Sequence, residues 1–175
     1  LTAQVGVAKG VLTEERVEEV NEHIDSLLRE QGVNIGSWQY SPYVTPSGAD
    51  RWRSRGINTV KDKYVVTEDD PRNALIKPGC GLAMRAAEEL GIEFNPSKMY
   101  VIGDRSSDAL TGINAGGIGI LVNNPGVGRG SSSFDKTGKI EAMVDDPQYN
   151  GRVYVVKDLV EAAEIVNCKE YCSKR

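Results

Sequence analysis

Tyr100-Val101-Ile102-Gly103-Asp104-Arg105-Ser106-Ser107-Asp108 is the stretch on which the fold turns. Met99 to Ile102 is a compact apolar run of strand length. Gly103 and Asp104 end it, and Ser107 to Ala115 then suits a helix closed by Gly116-Gly117. Ile118 to Val122 is a second short apolar strand. Short strands with no polar face, alternating with helices, predict a parallel sheet covered on both sides.

The same alternation continues outward. Val153 to Val156 reads as a further strand and Lys157 to Cys168 as a helix, beyond a glycine- and serine-rich surface loop at 124–133. On the other side, Gly81 to Leu90 is helical, with Leu82, Ala86 and Leu90 in line and Gly91 as its stop. A long helix is predicted from Glu14 to Arg29, with Thr13 as N-cap, Glu14 and Glu15 at the positive end of its dipole, and Gly32 just past it. Val17, Val20, Ile24, Leu27 and Leu28 share one face of it. Ile35 to Tyr40 reads as a short strand. Residues 41–76, broken by Pro42, Pro46, Gly48, Gly56 and Pro71, read as a loop insertion or small lid. The expected architecture is α/β, a three-layer doubly wound parallel sheet, in a single domain over 1–175.

Composition narrows the function. Of 175 residues, 39% are hydrophobic and 26% charged, as in a soluble globular chain. No apolar run reaches the roughly 18 residues of a membrane span, and the first residues lack the pattern of a secretory signal. A net charge of -4 argues against a nucleic-acid coat or an anionic-membrane binder. Three cysteines, an odd and sparse set, fit a reducing compartment such as the cytoplasm.

Ligands of open parallel sheets bind beyond the carboxyl ends of the strands. Asp104 falls at such an end, and Asp108 lies four residues on, near the first turn of the next helix. Two carboxylates about 4 Å apart repel by roughly 4 kcal/mol at an effective dielectric near 20. A shared hard cation, Mg²⁺, removes that repulsion. Asp108 alone has a plainer reading as a favourable charge at the helix start. Lys77, before Pro78, can set its ammonium over a phosphate, or be an ordinary solvated lysine. Thr2, with Gln4 and Gly6 after it, offers a hydroxyl and backbone N–H groups to a phosphate, or is a frayed chain end.

In combination and order these elements resemble the haloacid dehalogenase (HAD) superfamily, and within it the capless phosphatases acting on heptose bisphosphate and histidinol phosphate. Thr2-Ala3-Gln4-Val5-Gly6-Val7-Ala8-Lys9-Gly10 is similar to that group's Thr-Asn-Gln-Ser-Gly-Ile-Ala-Arg-Gly, Lys77-Pro78 to its third motif, and Gly103-Asp104 through Asp108 to its fourth. The resemblance runs from Leu1 to about Asn123, and in element order to the C-terminus. It implies a Mg²⁺-dependent phosphomonoester hydrolase for a small phosphorylated metabolite. By the same resemblance Thr2, with Ala3 and Gln4, binds the phosphoryl oxygens, Lys77 neutralises them, and Asp104 and Asp108 hold the metal.

The chain departs from the family in several places. The family's first strand ends in Asp-x-Asp, nucleophile and then acid/base, and no such pair occurs here. Asp69-Asp70 and Asp145-Asp146 are adjacent pairs beside prolines and read as turns. Thr2 ought to close a core strand with only Leu1 before it, so about 30 residues of the family's start, its first strand included, are expected to be missing, and the chain alone is expected to be inactive. The cysteine-rich zinc loop common in the heptose enzymes has no counterpart in 41–76. Arg51 and Arg53, with Arg55 around Trp52, could instead grip a second anion of the substrate, or form a solvated basic loop. Ala3 and Ile76 replace an asparagine and an arginine of the family. Cys80 reads as a packed residue, the Cys168/Cys172 spacing as incidental, and the sole histidine, His23, as structural. A polynucleotide 3′-phosphatase and a non-catalytic phosphate-binding module are the alternatives. A monomer or small homo-oligomer is expected.

Overall fold

A computed structural model describes residues 1–122, 139–149 and 151–172. The chain forms two compact units, Leu1–Phe94 and Asn95–Arg175. The loop expected at 124–133 lies outside the described residues. Among those residues no helix is long and apolar enough to cross a membrane.

In the first unit β1 (Thr2–Ala3) runs into α1 (Val5–Ala8), and α2 (Glu14–Glu30) follows. Thr13 caps α2 as expected, its Oγ1 accepting from the Arg16 N–H at 3.1 Å. The strand expected at Ile35 to Tyr40 shrinks to β2 (Tyr40–Ser41). Its partner β1 offers two residues, so a parallel ladder has two rungs, Thr2 against Tyr40 and Ala3 against Ser41. Residues before it turn their polar groups elsewhere. Ser37 Oγ donates to Glu89 Oε2 at 2.9 Å, and the buried Gln39 side chain donates to the same oxygen.

Residues 41–76 are more ordered than a loop. They contain α3 (Pro46–Arg53), capped by Thr45, and two 3-10 turns at Asp62–Tyr64 and Pro71–Leu75. Val44 bridges Val65 in parallel. The segment supplies Val44, Ala49 and Tyr64 to a core that also holds Val7, Ala8 and Val17. Proline at the first turn of α3 and of the second 3-10 turn starts a helix where punctuation alone suggests a break. α4 (Gly81–Glu89) closes the unit.

The second unit is three-layered. β3 (Tyr100–Gly103), β4 (Ile118–Val122) and β5 (Val153–Val156) form a parallel sheet in that order, with α5 (Ser106–Asn114) joining the first two. One face packs Leu121 and Val153 against Ala109 of α5 and Ile140 and Met143 of α6 (Lys139–Val144). The other packs Ile120 and Val156 against Ala162 of α7 (Leu159–Cys172). Alternate residues of β4 thus enter opposite cores, which is why the strand has no polar face. α5 stops at Gly116, whose φ of +91 suits a residue without Cβ. Arg152 reaches back to the end of α5, donating to the carbonyls of Ile113 and Gly117 at 2.9 and 3.0 Å.

The long α2 is where packing departs most from expectation. Val17 is buried, yet Val20, Ile24 and Leu27 are 41, 39 and 49% exposed. Its anchoring is concentrated in the first turn, where Glu14 accepts hydrogen bonds from both the Tyr40 and Tyr64 hydroxyls. Further along, Asp25 accepts from Trp38 Nε1 at 3.2 Å. Burial, with Glu14 alongside, pushes the Tyr40 hydroxyl up to about 12 from an ordinary 10.0. Tyr64 is raised for the same reasons. A raised folded-state value makes the protonated form stabilising, so this contribution is complete below about pH 10 and is lost as pH climbs towards 12. Alkaline unfolding should therefore steepen over that interval, and Tyr40→Phe should flatten it, measured by urea midpoints at stepped pH.

Candidate functional site

Asp104 and Asp108 lie in the second unit, where strand and helix come close together. β3 ends at Gly103, Asp104 emerges exposed at the strand's carboxyl end, and α5 starts two residues later. Asp108 is 6% exposed and turned back towards the strand. Its Oδ2 accepts from the Arg105 N–H at 3.1 Å, so the carboxylate also caps the helix start. A Cβ on Gly103 would lie 2.5 Å from Asp108 Cβ and Cγ. The missing side chain is thus the cradle that the Asp108 carboxyl group fills.

These donors fit a hard divalent cation. Two carboxylates leave one short segment, one at the strand end and one in the helix's first turn. Among the described residues no three His, Cys, Asp or Glu side chains gather into a fuller cluster. Such a donor set suits Mg²⁺, which keeps several waters and takes phosphate oxygens as ligands.

Lys77 and Thr2 belong to the first unit. Lys77 Nζ donates to the Leu1 carbonyl oxygen at 3.1 Å, which puts the ammonium beside the start of β1. Thr2 follows directly in the chain. The backbone donors expected to cradle a phosphate here are partly committed. Thr2 N–H donates to Gln39 O at 2.9 Å and Gln4 N–H to Ser41 O at 2.8 Å. What Thr2 can offer an anion is its side-chain hydroxyl.

Arg51 and Arg53 sit on α3. Arg53 is held by Asp50 at 3.0 Å and Asp62 at 2.6 Å, which offsets its charge. Arg51 is exposed and forms no ion pair among the described residues. Asp70 and Asp146 are turn residues, as expected, each accepting from a backbone N–H two residues on. Cys80 Sγ lies 3.9 Å from Met84 Sδ, a packing contact, and His23 is exposed. The grouping that sequence reasoning missed is Tyr43, Asp70 and Arg72. Arg72 lies over the Tyr43 ring at 5.3 Å and is paired with Asp70 at 2.6 Å. Hydrogen bonds from Arg72 hold the Asp70 carboxyl below its ordinary range, and the same bonds raise Arg72. Asp70-Pro71-Arg72 was legible as a turn, but nothing in the sequence joins it to Tyr43.

Comparison with known proteins places the chain in a family. The HAD-hydrolase-like family model matches residues 75–162, half of the chain and the part that contains Lys77, Asp104 and Asp108. The chain belongs to that family. Among curated relatives it is similar to the D-glycero-beta-D-manno-heptose-1,7-bisphosphate 7-phosphatase of Haemophilus influenzae, 26% identical over 85% of this chain and 70% of that protein. The enzyme of the same name from Pasteurella multocida is 28% identical over 66% of this chain and 52% of its own length. A D-glycero-D-manno-heptose-1,7-bisphosphate 7-phosphatase of Chlorobaculum tepidum is 29% identical over 70% and 54%. The chain therefore spans between about half and 70% of these relatives. A crystal structure assigned as a HAD-like phosphatase from Mesorhizobium loti shares the fold, with a TM-score of 0.57 over 94% of this chain and 61% of that one, at 19% identity.

Because Gly103 gives Asp108 its place, Gly103→Ala should force strand and helix apart. A loss of roughly 1–3 kcal/mol is expected from such overpacking, read as a lowered urea midpoint with an unchanged slope.

Proposed function

We propose that this chain carries the metal- and phosphate-binding parts of a Mg²⁺-dependent phosphomonoester hydrolase for a small phosphorylated metabolite, of the sugar-phosphate or histidinol-phosphate kind. The observation that carries the reading is Asp104 at the carboxyl end of β3 with Asp108 in the next helix turn, held by the Gly103 cradle, both within the family-matched residues. The curated relatives, named for a heptose bisphosphate, favour a sugar phosphate.

In this reading Asp104 and Asp108 hold the cation, Asp108 directly or through water. The bound cation supplies charge neutralisation and alignment of the phosphoryl oxygens. Lys77, anchored on the Leu1 carbonyl, adds a second positive charge beside Thr2, whose hydroxyl donates to a phosphoryl oxygen. Phosphoryl transfer needs mainly this positioning and neutralisation. The attacking group is an aspartate carboxylate. No Asp-x-Asp pair occurs in the 175 residues, so the attacking aspartate is assigned to polypeptide outside them. Its oxygen bonds to phosphorus as the P–O bond to the substrate breaks, the leaving oxygen taking a proton from the second carboxyl group of the family's Asp-x-Asp pair; water then gives a proton back to that carboxylate as it attacks phosphorus, releasing phosphate and freeing the first carboxylate.

Phosphate release by the intact protein should require Mg²⁺ and stop on chelation. Asp104→Asn should lower turnover at least about a hundredfold, the usual cost of removing a charge-stabilising group. The 175-residue chain alone should release none. Mg²⁺-dependent turnover that survives Asp104→Asn would refute the assignment.

A further inference from the structure

Ser37, Gln39 and Glu89 close a ring of hydrogen bonds in the first unit to which the proposed chemistry gives no task. One N–H of the Gln39 amide donates to Ser37 Oγ at 3.0 Å and the other to Glu89 Oε2. The Ser37 hydroxyl donates to the same carboxylate oxygen at 2.9 Å. All three donors of the group are thereby satisfied, and Glu89 is the acceptor for two of them. Gln39 is buried, whereas Glu89 is exposed and forms no ion pair among the described residues. The carboxylate is thus spent on the residue just before β2.

What that residue does is hold Thr2. The Gln39 carbonyl oxygen accepts the Thr2 N–H at 2.9 Å. The carbonyl oxygen of the same Leu1–Thr2 peptide accepts from Lys77 Nζ at 3.1 Å. A trans peptide points its C=O and N–H to opposite edges of one plane, so Gln39 and Lys77 hold a single planar unit from its two sides. Thr2 is the side chain that this unit leads into. The ladder between β1 and β2 has two rungs, and so short a pairing leaves its own register weakly specified. The ring adds a tie from the start of β2 to α4. Both holds trace to that one helix, since Lys77 lies four residues before Gly81, where α4 begins, and Glu89 is its last residue. At 1.5 Å per residue α4 is a bar of roughly 13 Å, with one hold at each end.

We infer that Glu89 is a positioning residue, which through Gln39 sets the Thr2 hydroxyl for the phosphoryl group it shares with Lys77. The inference deepens the phosphatase reading above and rests on it. Glu89 itself touches no reacting atom. Without its carboxylate, one N–H of the buried Gln39 amide and the Ser37 hydroxyl lose their acceptor. Gln39 is then free to turn, and the bond from the Thr2 N–H to its carbonyl loosens with it. A misplacement of about 1 Å can cost on the order of a hundredfold in rate. One hydroxyl loosened among several phosphate contacts should cost less, about tenfold.

The test uses the intact protein with Mg²⁺ and a panel of sugar phosphates, with rates expressed per folded molecule, alongside exchange of the Thr2 amide hydrogen followed by NMR. Glu89→Ala, which leaves a strong helix former at the end of α4, should lower kcat/KM about tenfold and speed Thr2 exchange. Glu89→Gln retains an oxygen that accepts from both donors, and should keep both readouts near wild type. In a Thr2→Ala background, Glu89→Ala should cost little more, because the two changes remove one effect. A merely structural role would lower the urea midpoint of Glu89→Ala yet leave kcat/KM and Thr2 exchange unmoved, which overturns the inference. Losses that add in full in the Thr2→Ala background overturn it as well, as does faster Thr2 exchange with undiminished turnover. A wild type that releases phosphate from none of the panel removes the phosphatase reading itself, and this inference with it.

Discussion

α5 comes close to the sheet of the second unit at its glycines, while its Ala109 packs against Leu121 and Val153. A Cβ at Gly119 would run into the Ala109 carbonyl, and one at Gly112 into the carbonyl of Ile118. Those two approaches are backbone on backbone, while at Gly103 the close neighbour is the Asp108 side chain. Backbone against backbone is a stiff contact, because neither side can change rotamer to relieve strain. The start of α5, and with it Asp108, is thereby held close to the end of β3 at Gly103.

The first unit solves a similar positioning problem with different means. It has a two-rung ladder and little regular sheet, so Lys77 cannot be placed by a long strand. Its ammonium takes the carbonyl oxygen of Leu1, the residue before Thr2. A lysine donor on a main-chain carbonyl loses some freedom of its flexible stem. The segment leading to Lys77 is in turn closed against α4, where Gly79 and Gly81 both lie hard against the Ala74 carbonyl.

Legibility in the sequence followed the source of each element's stability. β4 and β5 are read to the residue and α4 and α5 to within one, because apolar runs and glycine stops reflect contacts made within a few residues of chain. Asp104 and Asp108 are visible for the same reason, being local to a strand end and the following turn. β2 was overextended because strand length depends on the partner, and Thr2–Ala3 lies far away in sequence. α2 was located correctly from its caps and period, yet the burial of its apolar stripe could not be deduced from period alone, and three of the five stripe residues remain exposed. Tyr43 and Arg72 escaped notice because they are 29 residues apart in the chain, and neither α3 nor the 3-10 turn between them announces the contact.

The cations of residues 41–76 show why that stretch, proline-broken and short of ladders, still holds a shape. Lys63 lies over Tyr64 at 4.7 Å, Arg72 over Tyr43, and Lys9, which caps the end of α1, over Trp52 at 4.5 Å. Arg53 joins α3 to the following turn through Asp62. Each exposed cation–π contact is worth only about 0.5–1 kcal/mol, and exposed ion pairs are worth no more. Their value lies in number and in spread, since they tie α1, α3 and both 3-10 turns around one buried tyrosine, Tyr64. A basic loop read from composition alone suggests a surface waiting for anions. With these side chains already committed to aromatic rings and carboxylates, the basic character of the stretch is in large part the means by which an irregular segment is kept folded, and through it the turn that ends at Lys77.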